Sequence, residues 1–354
     1  MKLLDRTLAT ISGQDQAWRN RARERLDQLA LPHWSLGRLM DTAMDLAGIC
    51  RSLQPPVGRR AVVTMAGDHG VTVEGVSKFP REVTPQMVAN FVRGGAGINA
   101  LARQAGAEVV VVDMGVDADL GHLAHGGRII DKKIARGTAN MAQGPAMSRE
   151  QAVRAVEAGI EVAARLGDRI DVFGTGDMGI GNTTPSAAIC AVLTGAAVER
   201  VTGRGTGIDD AQLRNKIRII ERAIAVNQPD AADPLDVLAK VGGFEIGGIA
   251  GVILGAAAQK KPVLVDGFIS TAGALVACGL KPEAADYLFA AHRSVEQGHR
   301  IMQEHLGKEP LLDLNLRLGE GTGAALAMPL LGAAAAILSE VLTFAEAAVS
   351  EADR

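Results

Sequence analysis

The sequence predicts an α/β fold, a doubly wound and mainly parallel Rossmann-like sheet with a small helical domain from both chain termini. From residue 60 onward, short apolar runs alternate with helical patterns. The runs are continuous rather than alternating, as in parallel strands that helices cover on both faces. Glycine is abundant, with 42 among 354 residues, and it clusters in the turns after these runs. We place the large α/β domain at residues 57–324 and the helical domain at residues 1–56 together with 325–354.

Composition excludes several classes of function. Of the 354 residues, 47% are hydrophobic and 22% are charged, and the net charge is −3, as in an ordinary globular protein. Aromatic residues make up only 3% and no long basic run occurs, so nucleic acid is not an expected partner. Cys50, Cys190 and Cys278 are far apart and lack zinc spacing. This pattern predicts buried thiols in a cytoplasmic protein without a metal site.

The first 56 residues and the last 30 are predicted to be helical. Ser12 with Asp15 is typical of an N-cap pair, Pro32 ends the first long helix, and Ser35 can cap the next. Residues 321–339 form an uncharged stretch that is long enough to cross a membrane. It has no positive flank or aromatic belt, so we expect a buried helix and no membrane partner.

Five apolar runs are predicted strands, and Gly, Asp or His occurs within three residues of the end of each. They are residues 61–65, 108–113, 170–173, 262–266 and 287–289. Helix-start patterns lie between them, at Thr84-Pro85, Thr184-Pro185, Ser148 with Gln151, and Ser294 with Gln297. In a doubly wound sheet the ligand lies beyond the carboxyl ends of the strands, where these turns cluster.

The sharpest local motif occupies residues 173–185. Gly174, Gly176 and Gly179 form a literal G-x-G-x-x-G after a strand, which is typical of the NAD site of a dehydrogenase. Asn-Thr-Thr-Pro at 182–185 delays the helix, unlike that fingerprint. Backbone N–H groups and hydroxyls beside a helix start would suit a single phosphate instead. A plain glycine turn with an ordinary helix cap is the remaining alternative.

Three further segments are candidate sites. Gly-Asp-His-Gly at 67–70 offers an acid and an imidazole, although a structural turn explains it at least as well. The loop 201–210, followed by Lys216, offers either a cation for a phosphate or a merely solvated charged surface. Glu320 stands among glycines ahead of the uncharged stretch, where partial burial would raise its pKa and suit it as a proton acceptor. A helix-capping glutamate is the alternative.

Six motifs occur together in a known order. They are Gly-Asp-His-Gly at 67–70, Val-Ser at 76–77 with Val-Thr-Pro-Gln-Met-Val at 83–88, Met-Gly-Ile-Gly-Asn-Thr-Thr at 178–184, Asp-Gly-Phe-Ile-Ser-Thr at 266–271, His-Arg-Ser at 292–294 with Gly-His at 298–299, and Leu-Gly-Glu-Gly-Thr-Gly at 318–323. Over about residues 10–345 the chain resembles the nicotinate-nucleotide:dimethylbenzimidazole phosphoribosyltransferases.

The resemblance implies an activity and an architecture. That family transfers ribose 5-phosphate from nicotinate mononucleotide to a benzimidazole nitrogen, giving the α-ribotide and nicotinate for the lower nucleotide loop of cobamides. It also implies the doubly wound sheet with a terminal helical domain, a homodimer, and no cofactor.

The resemblance further assigns roles to residues of this chain. Glu320 matches the general base. The base-binding residues would be Ser77 and Gln86, which flank the aromatic ring, with Met178 and Leu318 as apolar walls. Gly179, Lys216 and Ser294 match the phosphate and ribose side, with Asp266 in the same crevice. Gly181, Asn182 and Thr183 are further substrate-binding candidates, because their segment offers N–H groups and hydroxyls at a helix start.

Asp177 departs from the family pattern, which usually has glutamate at this position. Aspartate is shorter by one methylene, so it would hold the substrate group that it contacts differently. We expect Asp177 to be a second catalytic carboxylate and the preference for the acceptor base to be affected.

The expected chemistry suits these residue types. The pyridinium ring is already cationic and departs as a neutral pyridine ring, so no general acid is needed. One carboxylate can accept the azole proton and stabilise positive charge on the ribose carbon. Three alternatives stay open: an NAD-dependent dehydrogenase, a non-catalytic nucleotide-binding subunit, and the same reaction with another benzimidazole, a purine or a phenol.

Overall fold

A parallel β-sheet organises the chain. The computed structural model describes residues 2–205 and 207–350, so parts of the predicted helical domain and of the loop 201–210 lie outside the described residues. The strands are β1 (Arg60–Gly67), β2 (Ala107–Gly115), β3 (Ile130–Asp131), β4 (Val172–Met178), β5 (Val263–Val265), β6 (Leu288–Ala290), β7 (His292–Ser294) and β8 (Leu312–Leu316). Six of them form one sheet in the order β3-β2-β1-β4-β5-β6, and β7 pairs with β8; all of these pairs are parallel.

Helices connect and cover these strands. They are α1 (Leu3–Thr10), α2 (Gln16–Leu26), α3 (Arg38–Cys50), α4 (Val83–Arg93), α5 (Gly97–Ala105), α6 (Gly121–His125), α7 (Arg149–Leu166), α8 (Thr183–Thr194), α9 (Val198–Val201), α10 (Asp210–Asn227), α11 (Pro234–Val241), α12 (Phe244–Ala258), α13 (Phe268–Leu280), α14 (Gln297–His305), α15 (Thr322–Glu340) and α16 (Phe344–Ala347). Short 3₁₀ turns occupy Gly70–Glu74 and Pro282–Tyr287.

The sheet grows outward in both directions from β1. The chain first adds β2 and β3 on one side, then returns to add β4, β5 and β6 on the other. The strand order therefore reverses between β1 and β4. In sheets of this kind such a reversal opens a crevice beyond the carboxyl ends of the two strands, and here those ends are Gly67 and Met178.

Helices cover both faces of this sheet. The hydroxyl of Thr64 in β1 donates to the carbonyl of Glu320, just before α15, at 3.0 Å. The next residue, Met65, points to the opposite face. Its sulfur lies 3.1 Å from the position of a Cβ on Gly248 of α12. The doubly wound α/β fold class predicted from the sequence is therefore confirmed.

All five predicted strands exist, but β4 is longer than predicted. It runs on to Met178, so Gly174 and Gly176 lie inside a strand rather than in a turn that cradles phosphate. A Cβ at Gly176 would stand 2.3 Å from the carbonyl oxygen of Glu320, so these glycines permit close packing. The positions of these glycines do not favour the dinucleotide-binding interpretation of this motif.

Only one of the four predicted helix starts has its predicted cap. The hydroxyl of Ser148 accepts the N–H of Gln151 at 3.1 Å, which completes the capping box of α7. The capping box predicted at Ser294 is wrong, because this residue ends β7 and Glu296 is the N-cap of α14. Thr84 and Thr184 lie inside the first turns of α4 and α8 and do not cap them.

The N-terminal helices pack against the end of the chain. Arg25 of α2 donates to the carbonyl groups of Leu338 and Val341 at 2.8 and 3.1 Å. Helix α3 contacts α15, whereas α1 packs on α7 and α12 of the sheet layer. The division into residues 57–324 and a helical domain from the two ends stays a prediction.

Two predicted caps in this region are corrected. Asp15, not Ser12, caps α2, because its carboxylate accepts the N–H of Ala17 at 3.1 Å. Ser35 does not cap α3, whose N-cap is Gly37 in the left-handed region.

Among the described residues, α15 alone has the length and composition of a membrane span, and 61% of its apolar window is buried inside the protein. It packs on β4, α5 and α3. This agrees with the buried helix predicted for residues 321–339.

Candidate active site

A cavity of about 340 Å³ opens at the switch point of the sheet. The segments that follow β4, β5, β7 and β8 line it. Eight predicted site residues are on its wall, namely Asp177, Met178, Gly179, Asn182, Thr183, Ser294, Leu318 and Glu320. A larger groove of about 840 Å³ lies among residues 26–34 and Phe344, and it includes none of the predicted site residues.

Glu320 is held in a strained backbone between two glycines. Its φ is 63°, in the left-handed region that non-glycine residues rarely adopt. One carboxylate oxygen, Oε2, accepts the N–H of Ile98 at 3.0 Å. Burial raises the pKa of Glu320, the Ile98 N–H opposes this, and the charge of Asp266 adds to it. The side chain is therefore a carboxylate that takes up a proton more readily than usual.

Asp177 ends β4 on the cavity wall. Its Oδ2 accepts the side-chain N–H of Asn182 at 2.8 Å, while its buried Oδ1 has no hydrogen-bond partner within residues 2–205 and 207–350. Burial, helped by the charge of Asp266, raises the pKa of Asp177 to about 8. The group is then mostly protonated at neutral pH, so it can donate a hydrogen bond there and can accept a proton only at higher pH.

Lys216 lies behind the cavity wall, and the side chain of Thr183 separates it from the cavity. Its ammonium donates to the hydroxyl of Thr183 at 2.6 Å and to the carbonyl of Gly203 at 3.4 Å. Burial lowers the pKa of Lys216 to about 8, although the Glu296 carboxylate opposes this shift. The structure therefore brings the charged loop 201–210 to the glycine segment after β4. Thr183, on the cavity wall, lies between the cation and the space a ligand would fill.

Asp266 is fully buried and holds the start of α15. Its Oδ2 accepts the N–H of Gly321 at 3.1 Å and its Oδ1 accepts the N–H of Ala324 at 3.0 Å. His292 faces the same carboxylate, with Nε2 3.7 Å from Oδ1. Asp266 lies in the predicted crevice but behind its wall, where it positions the turn that carries Glu320.

Three other predicted residues lie away from the cavity wall. The hydroxyl of Ser77 accepts the N–H of Phe79 at 3.2 Å, and Gln86 is exposed on α4. Gly181 has φ of 88° and allows the chain to turn, since a Cβ there would meet Thr72 at 2.7 Å. None of these three residues is part of the cavity wall.

The motif at residues 67–70 has a structural role in the fold. His69 and Glu245 are both buried, and His69 Nε2 lies 2.8 Å from Glu245 Oε1. The carboxylate of Asp68 accepts the N–H of Asp117 at 2.8 Å. These contacts fix the turn after β1, which favours the structural alternative for this motif.

The sequence analysis gave several cavity residues no individual role, although five of them lie inside the motifs quoted there. The apolar ones are Phe79, Val83, Met87, Phe268 and Ile269, and the polar ones are His292, Glu296 and Arg317. Val83 and Met87 are four residues apart and therefore share one face of α4, which is a signal that could have indicated them. The polar residues come from short strands and loops that carry no periodic signal.

Comparisons with known proteins agree with this geometry. The family model of a phosphoribosyltransferase, DBI_PRT, matches residues 11–349. The nicotinate-nucleotide--dimethylbenzimidazole phosphoribosyltransferases of Syntrophotalea carbinolica and Desulfotalea psychrophila are each 61% identical to this chain, over 99% and 100% of both sequences.

Two crystal structures from Thermus thermophilus are also similar. That of its nicotinate-nucleotide-dimethylbenzimidazole phosphoribosyltransferase is 48% identical, covers 96% of this chain and 100% of its own, and superimposes with a TM-score of 0.89. That of CobT is 49% identical, covers 95% of this chain and 100% of its own, with a TM-score of 0.90. The chain therefore belongs to the nicotinate-nucleotide:dimethylbenzimidazole phosphoribosyltransferase family.

Proposed function

We propose that this chain transfers ribose 5-phosphate from nicotinate mononucleotide to 5,6-dimethylbenzimidazole or a similar lower-ligand base. The products are α-ribazole 5′-phosphate and nicotinate, and the reaction serves cobalamin and other cobamide biosynthesis. The observation that carries this proposal is the buried, strained Glu320 on a cavity whose remaining wall is largely apolar. Membership of the family supports it.

Glu320 is the general base in this proposal. The C–N bond to nicotinate breaks and its electron pair returns to the ring nitrogen, so the pyridinium ring becomes a neutral pyridine ring. The ribose carbon becomes oxocarbenium-like, and the incoming azole loses its N–H proton to the carboxylate. The same negative charge stabilises the developing cation. Attack from the face opposite the leaving group converts the β-nucleotide into the α-ribotide.

The phosphate is placed at the start of α8. Thr183 begins this twelve-residue helix, whose first N–H groups favour an anion, and the Lys216 ammonium lies directly behind it. Gly179, Gly181 and Asn182 supply the adjoining backbone. On this placement, nicotinate mononucleotide should bind much more tightly than its dephosphorylated riboside in calorimetry. Equal affinities would contradict the placement.

The acceptor ring is placed against the apolar wall. Phe79 and Leu318 are 48% and 59% exposed at the mouth of the cavity, and Met178 and Met87 lie on its wall. Ser77 and Gln86 stand nearby and would complete the ring site. Apolar walls with few polar groups suit a benzimidazole.

One incubation tests the proposed reaction. The protein is mixed with nicotinate mononucleotide and, separately, with 5,6-dimethylbenzimidazole, other benzimidazoles, adenine or a phenol, and products are identified by mass spectrometry. We expect α-ribazole 5′-phosphate from 5,6-dimethylbenzimidazole. Absence of any ribotide from a folded, nucleotide-binding protein would favour the non-catalytic alternative instead. Transfer to adenine or a phenol in preference would keep the reaction and change its acceptor.

Assembly and location extend the proposal. We propose a cytoplasmic homodimer in which a second copy covers the mouth of the cavity. Three side chains beside β7 and β8 support this, since Val295, Leu314 and Leu318 are 47%, 56% and 59% exposed.

A further inference from the structure

We propose that His299 is a positioning residue that ties together the two cavity loops after β5 and β7. It lies on α14 and does not line the cavity itself. The inference rests on the proposed function, because it assigns the loop at Ser294 to the nucleotide. It concerns how this side of the site keeps its shape before substrate arrives.

A single chain of hydrogen bonds runs through the imidazole. The backbone N–H of Ser294 donates to His299 Nδ1 at 2.9 Å. On the other side of the ring, Nε2 lies 2.9 Å from the hydroxyl of Thr271. That hydroxyl donates to the carbonyl of Gly267 at 2.8 Å. The chain therefore reaches from the end of β7 to the turn after β5.

The direction of these bonds fixes the tautomer. Because Nδ1 accepts from a backbone N–H, it carries no proton, so Nε2 carries the ring proton and donates it to Thr271. The Thr271 proton is then free to point at Gly267, as its contact requires. Every member of the chain is satisfied by a neutral imidazole.

The surroundings keep this imidazole neutral. His299 is completely buried. Burial, with a smaller contribution from the charge of His292, lowers the pKa of His299 to about 3. A second proton would also set Nδ1–H against the N–H of Ser294. The ring therefore stays neutral near pH 7.

Both ends of the chain are cavity residues. Ser294 and Gly267 are on the cavity wall. The Ser294 hydroxyl accepts the N–H of Glu296 at 3.3 Å, which leaves its own hydrogen to donate toward a ligand oxygen. From the same helix, Gln303 donates to the carbonyl of His292 at 2.9 Å. Helix α14 thus holds β7 by two buried side chains, and His299 adds a hydrogen-bonded link to the loop after β5.

Four variants test this assignment. His299→Leu removes both hydrogen bonds, whereas His299→Asn keeps an acceptor near the Nδ1 position. Thr271→Val removes only the hydroxyl link, and Thr271→Ser is its matched control because it keeps the hydroxyl. Exposed His305→Leu, on the same helix, controls for loss of an imidazole.

We expect a graded loss of nucleotide binding. His299→Leu should raise the KM for nicotinate mononucleotide about tenfold, and His299→Asn and Thr271→Val about threefold each. Thr271→Ser and His305→Leu should match the wild type. The KM for 5,6-dimethylbenzimidazole and the pH dependence of kcat should not change in any of them.

Several outcomes overturn the inference. One is a folded His299→Leu variant whose KM for the nucleotide stays within about twofold of wild type. Another is a pH limb of kcat that disappears in His299→Asn, since it would show that the ring titrates. If His299→Leu does not fold, equal KM values for Thr271→Val and Thr271→Ser decide against the proposal. Calorimetric binding of nicotinate mononucleotide gives the same comparison without turnover, so a failure of the proposed reaction is recognised separately.

Discussion

At the scale of single residues, burial in the cavity wall changes the pKa values of two carboxyl groups. Burial raises the pKa of Glu320 and of Asp177, and that of Asp177 reaches about 8. At neutral pH Asp177 is therefore largely protonated, whereas Glu320 is the carboxylate that we propose as acceptor of the azole proton. We therefore expect the two carboxyl groups to have different roles, with Glu320 as the base and Asp177 as a group that ionises only at higher pH.

Glu320→Gln should keep the shape of the side chain and remove its basicity. We expect kcat to fall about 10²- to 10⁴-fold while both substrates still bind. Because the base works deprotonated and its pKa is raised, wild-type kcat should fall as the pH drops through a value above the ordinary 4.5. The variant should lack this acidic limb. Steady-state kinetics across pH measure both effects.

A purely capping role for Glu320 gives a different result. In that case the variant would lose about 1 kcal/mol of stability and keep its kcat. The double change Glu320→Gln with Asp177→Asn is the second control. Residual activity of the single variant should grow as the pH rises through about 8, where Asp177 ionises, and the double variant should lose it. Near-normal turnover by a folded double variant would contradict the mechanism in which a carboxylate is the base.

Lys216→Ala should weaken nucleotide binding and spare the azole. Loss of a buried ammonium that contacts Thr183 should raise the KM for nicotinate mononucleotide about ten- to a hundredfold. In the wild type the same affinity should fall above about pH 8, because the ammonium then loses its proton. Lys240→Ala, which breaks an ion pair with Asp236 away from the cavity, is the matched control. An effect on azole binding alone would show that Lys216 is wrongly assigned.

The sequence predicted the burial of some of these side chains but not of others. The glycines around Glu320 and the uncharged stretch after it predicted a partly buried carboxylate, which the structure contains. The depth of Lys216 and of Asp266 could not be predicted, because burial behind a wall depends on contacts between segments far apart in the chain. His299 was noted only as part of a motif, since a hydrogen-bond relay has no sequence period.

At the scale of elements, the contact between β4 and the turn before α15 controls the site. Thr64 and Gly176 lie side by side in the sheet, and both meet the backbone of Glu320. The strand thus fixes the main chain of the proposed base, while Asp266 fixes the first turn of α15. The left-handed conformation of Glu320 persists because these contacts determine it.

Gly176→Ala should disturb this contact directly. Its Cβ would stand 2.3 Å from the carbonyl oxygen of Glu320, so strand and turn must separate. We expect a loss of about 1–3 kcal/mol in the free energy of unfolding, together with reduced kcat. Gly144→Ala is the matched control, as a Cβ there meets nothing within 4 Å. Thermal unfolding and kinetics test the pair, and an unchanged Gly176→Ala protein would contradict the packing argument.

The sequence predicted the central strands but not the short strands β7 and β8. The central strands were predictable, because both faces are buried and their apolar runs are continuous. The short pair β7 and β8 was not, since β8 is partly exposed along its length and β7 has only three residues. Ser294 was consequently taken for a helix cap when it is part of a strand.

At the scale of the whole molecule, the exposed apolar side chains of Val295, Leu314 and Leu318 support the proposed homodimer, because a second copy of the chain would cover them. We expect light scattering at micromolar concentration to give twice the mass of one chain. A charged substitution at an exposed apolar residue of β8, such as Leu314→Glu, should shift the protein toward monomer. Leu342→Glu, at an exposed leucine beside α16, is a matched control. A wild-type monomer at that concentration would contradict the proposed assembly.

Helix α15 has a consequence for amide hydrogen exchange. Its 19 residues start beside Glu320 and extend about 28 Å to the carbonyls that Arg25 binds. Pro329 lacks an amide, but the helix continues through it on both sides. Opening such a helix exposes many amides together, so it behaves as one cooperative unit. A ligand that immobilises Glu320 should therefore slow deuterium uptake as far along the chain as Leu338.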